Sequence, residues 1–74
     1  MQIESNLANA RSYNEREVCR VINAKQQKLY VKHKVYPIDM YCSYDTEGND
    51  IVVYIFLKNE TQELYQKWLR HELD

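Results

Sequence analysis

The sequence predicts an α+β fold: a β-α-β-β-α chain whose three-stranded antiparallel sheet carries two helices on one face. Three observations predict it. Residues 51–57, IVVYIFL, form an unbroken apolar run, and a strand of that kind asks for cover on both faces. The acidic stretch DTEGND at 45–50 holds the only glycine, Gly48, and reads as the turn joining that run to an alternating segment before it. Beyond Leu57, a helical stripe of Leu64, Tyr65, Trp68, Leu69 and Leu73 continues to the C-terminus.

Taken in order, residues 1–14 are polar and lack a clear period, with only Ile3, Leu7, Ala8 and Ala10 hinting at a helical stripe. They are expected as an arm or short weak helix, ahead of a single α+β domain over 15–74. The segment REVCRVIN is rich in β-branched residues and reads as a first strand over 17–23, with modest apolar content that suits an edge. AKQQKLYVKHK contains good helix formers and no Gly or Pro, which predicts a helix over 24–34. On it, Lys25, Lys28 and Lys32 fall in one narrow stripe, opposite Tyr30.

VYPIDMYCSY follows as the second strand, with Pro37 at its start, where a missing N–H does least harm. There Ile38, Met40, Cys42 and Tyr44 alternate with Asp39, Tyr41 and Ser43. After the third strand, Asn59 with Gln62 matches a capping box, and Glu60 and Glu63 lie where the helix dipole favours acid.

The third strand is the most apolar and is placed at the centre, between the first and second. Its aliphatic set, Ile51, Val53, Ile55 and Leu57, is expected against the helices, facing Leu64, Trp68 and Leu69. Val52, Tyr54 and Phe56, joined by Tyr41 of the second strand, are then expected on an open face. A small domain does not leave such a face wet. The N-terminal arm, a second copy of the chain or a foreign partner would cover it, and the homodimer is the preferred reading, with Tyr41, Val52, Tyr54 and Phe56 as its interface.

Composition limits the functional classes. The chain has 74 residues, enough for one domain, with a single Pro and seven tyrosines, whose apolar bodies and polar tips suit half-buried surfaces. Net charge is −1, yet residues 1–36 hold seven Lys/Arg against three Asp/Glu, and residues 37–74 hold three against eight. No Gly-rich phosphate loop, nucleophile elbow or paired-carboxylate motif is present, so no catalytic residue is assigned and the protein is not read as an enzyme. Cys19, Cys42, His33 and His71 show no metal-ligand spacing, and no cofactor is expected. With strand three between them the cysteines sit too far apart for a disulfide, and both are read as thiols buried as small hydrophobes. No stretch approaches the roughly 20 apolar residues of a membrane span, and a cytosolic location is expected. The sequon at Asn59-Glu60-Thr61 is then a chance match. The alternative to a protein partner is nucleic acid, met by the Lys25, Lys28 and Lys32 stripe or by bases stacking on Tyr54 and Phe56.

KQQKLYVKHKVYPIDMY, followed beyond the turn by IVVYIFLKNETQELYQKW, resembles small uncharacterised proteins of Firmicute phages and prophages. The positions that carry the resemblance are Leu29, Tyr30, Ile38, Asp39, Val53, Phe56, Glu63, Leu64, Tyr65 and Trp68, within residues 24–69. Lys34 stands where a Gly would be expected to end the helix. The resemblance implies a mobile-element accessory protein that modulates or inhibits a host protein, without a known activity.

Overall fold

The computed structural model describes residues 2–7 and 12–74. Two short strands, β1 (Gln2–Ile3) and β2 (Tyr13–Asn14), pair antiparallel. A single 3-10 turn (Glu15–Glu17) follows, with Asn14 and Glu17 forming a reciprocal capping box. The main domain then runs β3 (Val18–Val21), α1 (Ala24–Lys32), β4 (Asp39–Tyr44), β5 (Asp50–Leu57) and α2 (Lys58–Leu69). Its sheet has the order β3-β5-β4 with both pairings antiparallel, so the apolar run is central and β3 lies at an edge, as the sequence predicts. Of the arm or short weak helix expected over 1–14, the described residues include the β1–β2 pair and no helix. Ala8 and Ala10, on which that expectation partly rested, lie outside the described residues.

The two faces of β5 are exchanged relative to the sequence reading. Val21, Leu29, Tyr30, Phe56 and Leu73 form one buried cluster, joined by Cys19, Val35, Tyr54, Leu64 and Trp68. The aromatic set therefore meets the helices, and Phe56 is 0% exposed. The aliphatic set meets the arm: Val53 and Ile55 are buried with Tyr13, against Ile3, Val18, Ile38 and Ile51. A period of two divides a strand into two sets but is symmetrical under exchange of faces, so it leaves open which set the helices cover. The deciding contact is between Tyr30 of α1 and Phe56, edge to face with ring centroids 5.1 Å apart and planes at 77°.

Both helices end in the same way, and neither end holds a glycine. At α1, the Lys34 N–H donates to Val31 O and the Val35 N–H to Tyr30 O; at α2, His71 donates to Trp68 O and Glu72 to Lys67 O. This is the Schellman pattern, which places the residue after the cap in the left-handed region. Lys34 (φ 68°) and His71 (φ 59°) occupy it. The turn at His71 stops α2 at Leu69, short of the expected C-terminus, and folds Leu73 back into the core. Tyr65 and Leu69, expected on the buried stripe, are exposed instead. At its start, α2 begins at Lys58 with Leu57 at the cap position and no capping side chain, so Asn59 lies inside the first turn and forms no capping box with Gln62.

Candidate interaction surface

The arm is held to the sheet by one carboxylate. Asp39, the first residue of β4, is 2% exposed and points to the arm face. Its Oδ2 accepts from the Tyr13 hydroxyl at 2.6 Å. Its Oδ1 accepts from the Asn6 N–H at 2.8 Å, the Asn6 Nδ2 at 3.1 Å and the Met40 N–H at 2.9 Å. Ser5 adds a bond from its hydroxyl to Ile38 O. Burial alone would raise the Asp39 pKa, but the donors from Tyr13, Asn6 and Met40 outweigh it and hold the carboxyl below its ordinary value. On the other side, burial, the bond to Asp39 and its negative charge push the Tyr13 hydroxyl up to about 12. The latch is thus a neutral tyrosine on an ionised carboxylate, with no cation involved in these bonds.

The same latch decides which part of the β4 edge stays open. Ile38 donates its N–H to Ile55 O, so the backbone of Ile55 faces β4. In an antiparallel ladder this direction alternates, which turns the Asp39, Tyr41 and Ser43 backbones toward β5 and those of Met40, Cys42 and Tyr44 outward. Met40 is capped already: its N–H goes to Asp39 Oδ1 and its C=O accepts from Asn6 Nδ2 at 3.4 Å. Among the described residues, Cys42 and Tyr44 are left as the outward pair.

Their side chains lie on the helix face, where α1 and α2 leave the outer half of β4 and the neighbouring Val52 of β5 uncovered. Tyr44 is 71% exposed and Val52, directly opposite Cys42, is 44% exposed. Cys42 is exposed too, and only Cys19 of the two expected buried thiols is half-buried. Tyr41 pairs with Val53 and therefore lies on the arm face, 37% exposed, with its hydroxyl accepting from Arg20 Nε at 3.1 Å.

The predicted interface residues thus separate. Phe56 is core and Tyr54 is half-buried against it, ring centroids 6.0 Å apart, so neither offers an open ring for partner or base. Val52 and Tyr41 are exposed on opposite faces of the sheet, flanking the same β4 edge. Lys25, Lys28 and Lys32 are all exposed on α1, as the stripe predicts. The sequence reading missed the latch; its signal was an aspartate within PIDMYCSY, where a sheet strand favours β-branched and aromatic residues.

A second concave feature lies on the helix face at the opposite edge of the sheet. Between α1 and α2 a groove of about 380 Å³ runs along β3. Cys19 and Val21 form its floor, Gln26 and Tyr30 its α1 wall, and Lys58, Thr61, Gln62 and Tyr65 its α2 wall. The α2 residues are spaced i, i+3, i+4 and i+7, one helical face. Among the described residues no group of three or more His, Cys, Asp or Glu is placed to hold a metal ion, and no helix is long and apolar enough to cross a membrane.

No protein-family model, curated protein or solved structure matches the chain.

Proposed function

We propose that the protein is a non-enzymatic interaction module of the bacterial cytoplasm, a homodimer that acts by binding and modulating a host protein. The host-directed part of this reading rests on the resemblance to small phage and prophage proteins. The dimer is supported by one observation: the open edge of β4 carries an exposed apolar strip, Cys42, Tyr44 and Val52, beside it. An edge of this kind is a template for another strand unless something covers it.

A second copy fits it by symmetry. With Met40 capped by the arm, an antiparallel pairing about a two-fold axis at Ser43 sets Cys42 of each copy opposite Tyr44 of the other. The interface is self-complementary, as a two-fold requires. It uses the outward backbone groups of both residues, merges the two strips on one face and leaves Tyr41 at the rim of the other.

Crosslinking tests the arrangement. At the axis the two Ser43 residues form a non-hydrogen-bonded pair with Cα atoms about 4.5 Å apart, within disulfide reach. The two Cys42 residues are diagonal neighbours about 7 to 8 Å apart, outside it. Ser43→Cys in a Cys19→Ser, Cys42→Ser background is expected to oxidise to a covalent dimer, and the native chain to resist. Ready crosslinking of native Cys42 with none through position 43 would contradict this register, and no crosslink in either would count against the dimer itself.

A second reading, a nucleic-acid-binding regulator, is favoured by Lys25, Lys28 and Lys32 on an exposed helix that contains no acidic residue. It requires a salt-dependent shift of a labelled oligonucleotide that weakens on Lys28→Glu; the absence of a shift at low salt would remove it.

A further inference from the structure

The β4 edge leaves the other edge of the sheet unused, and there the backbone and the groove coincide. Since Ile55 faces β4, alternation turns Phe56, Tyr54 and Val52 toward β3. Gln27 agrees with this: its Nε2 donates to Val21 O at 2.8 Å and to Val52 O at 2.7 Å, closing the β3–β5 ladder where β3 runs out. Cys19 and Val21 are therefore bonded inward, and the N–H and C=O of Arg20 and the C=O of Val18 point away from the sheet, the Val18 N–H being taken up by the 3-10 turn that precedes it. Among the described residues β3 has a ladder partner on one side only.

Arg20 borders the groove at this edge, while register turns its side chain to the opposite face, where Nε reaches Tyr41. What it presents on the groove side is backbone. Beside that backbone the floor is apolar, Cys19 and Val21, and the walls are the rings of Tyr30 and Tyr65. Among the lining residues Lys58 is the cation whose head lies on this side, and none is a carboxylate.

We infer that the β3 edge and its groove form a receptor for an extended segment of another protein, one that adds a strand alongside Val18 and Arg20, sends alternate apolar side chains into the groove and sets an acidic residue against Lys58. Strand addition of this kind takes affinity from main-chain bonds and specificity from pockets for alternate side chains. The groove's volume lies in the range of small binding sites, roughly 300 to 1,000 Å³. The charge selects the chemistry: Arg16 and Glu17, beside Lys58 in the adjoining hollow, offset one another, so this end of the groove keeps a net positive charge that a basic segment would meet unfavourably. A second copy is not the occupant, because the apolar strip that a copy would match lies at β4.

Selection from a displayed library of random linear peptides against the immobilised full chain tests this. Enriched peptides are expected to alternate apolar residues and to carry a carboxylate. Their affinity is expected to fall about tenfold on Lys58→Glu and to fall on Tyr65→Ala, while Tyr44→Glu leaves it unchanged. Both groove positions are exposed, so these variants keep the native thermal midpoint as a check on folding. Binding is also expected to slow hydrogen exchange at the Arg20 N–H. No peptide enriched above the Tyr65→Ala chain, or enriched peptides indifferent to both groove substitutions, would overturn the inference. So would peptides that protect the Cys42 and Tyr44 amides instead of Arg20. Loss of the β4 dimer without loss of peptide binding would leave this site standing alone.

Discussion

The Tyr13 hydroxyl donates to Asp39 Oδ2 over 2.6 Å, joining the arm to the first residue of β4 across 26 positions of chain. This bond is buried, and the Tyr13 ring packs in one cluster with Val53 and Ile55. With the Asn6 bonds it explains how a segment with two-residue strands covers Val53 and Ile55 at the centre of this face.

Tyr13→Phe keeps the ring in the cluster and removes the donor. A hydrogen bond to a charged group contributes about 1.5 to 3 kcal/mol, and urea unfolding is expected to show a loss of that size. Hydrogen exchange should show the Asn6 N–H losing protection with it. An unchanged midpoint would mean that Tyr13 holds the arm by apolar contact alone.

The latch also sets a pH dependence. Asp39 has its folded pKa lowered, so its contribution is present above the ordinary carboxylate value of about 4 and is lost as pH falls through the folded value. Asp45, bonded by the Asn49 and Glu47 N–H groups, is shifted the same way and adds to the acid limb. Tyr13 is raised to about 12, so its contribution is present below about 10 and is lost as pH rises through that higher value. Stability measured against pH should therefore run level, as far as this pair is concerned, from about 5 to 9. It should fall on both sides, and Asp39→Asn should make the acid limb shallower.

Lys34 and His71 hold a conformation that glycine adopts without strain. The left-handed region costs an ordinary residue about 1 to 2 kcal/mol, and glycine gives part of that back through its freer unfolded chain. Lys34→Gly and His71→Gly should each stabilise the domain by about 0.5 to 1 kcal/mol, read as a rise in the urea midpoint. Their effects should add, since each closes a different helix.

Phe56→Ala should cost about 3 to 5 kcal/mol, because the ring is fully buried against Tyr30 and its loss leaves a cavity. Tyr44→Glu, at an exposed position, should stay within about 0.5 kcal/mol. The opposite order would restore the assignment of faces expected from the sequence.

Much of this fold is written in short-range pattern. The apolar run of 51–57 identifies the central strand, the turn around Gly48 the hairpin, and the modest apolar content of 17–23 the edge. What pattern does not carry is which face the helices take, since Val52, Tyr54 and Phe56 are as apolar as Ile51, Val53 and Ile55. The helix ends are equally hidden, because Lys34 and His71 lack the glycine that marks a left-handed cap. β1 and β2 are too short to show a period, and the Asn6–Asp39 bonds join residues 33 apart. The candidate surface inherits these limits. Tyr41 and Val52 were legible as exposed apolar residues, whereas Cys42 and Tyr44 matter because of the ladder direction and the capped Met40, which only the register reveals.

Molar mass in solution, measured by light scattering over a range of concentrations, tests the self-association of β4 most directly. The native chain is expected to approach twice its 9.0 kDa mass as concentration rises, and Tyr44→Glu to remain at 9.0 kDa throughout. A native chain that stays at 9.0 kDa at every concentration, or a dimer indifferent to Tyr44→Glu, would contradict it.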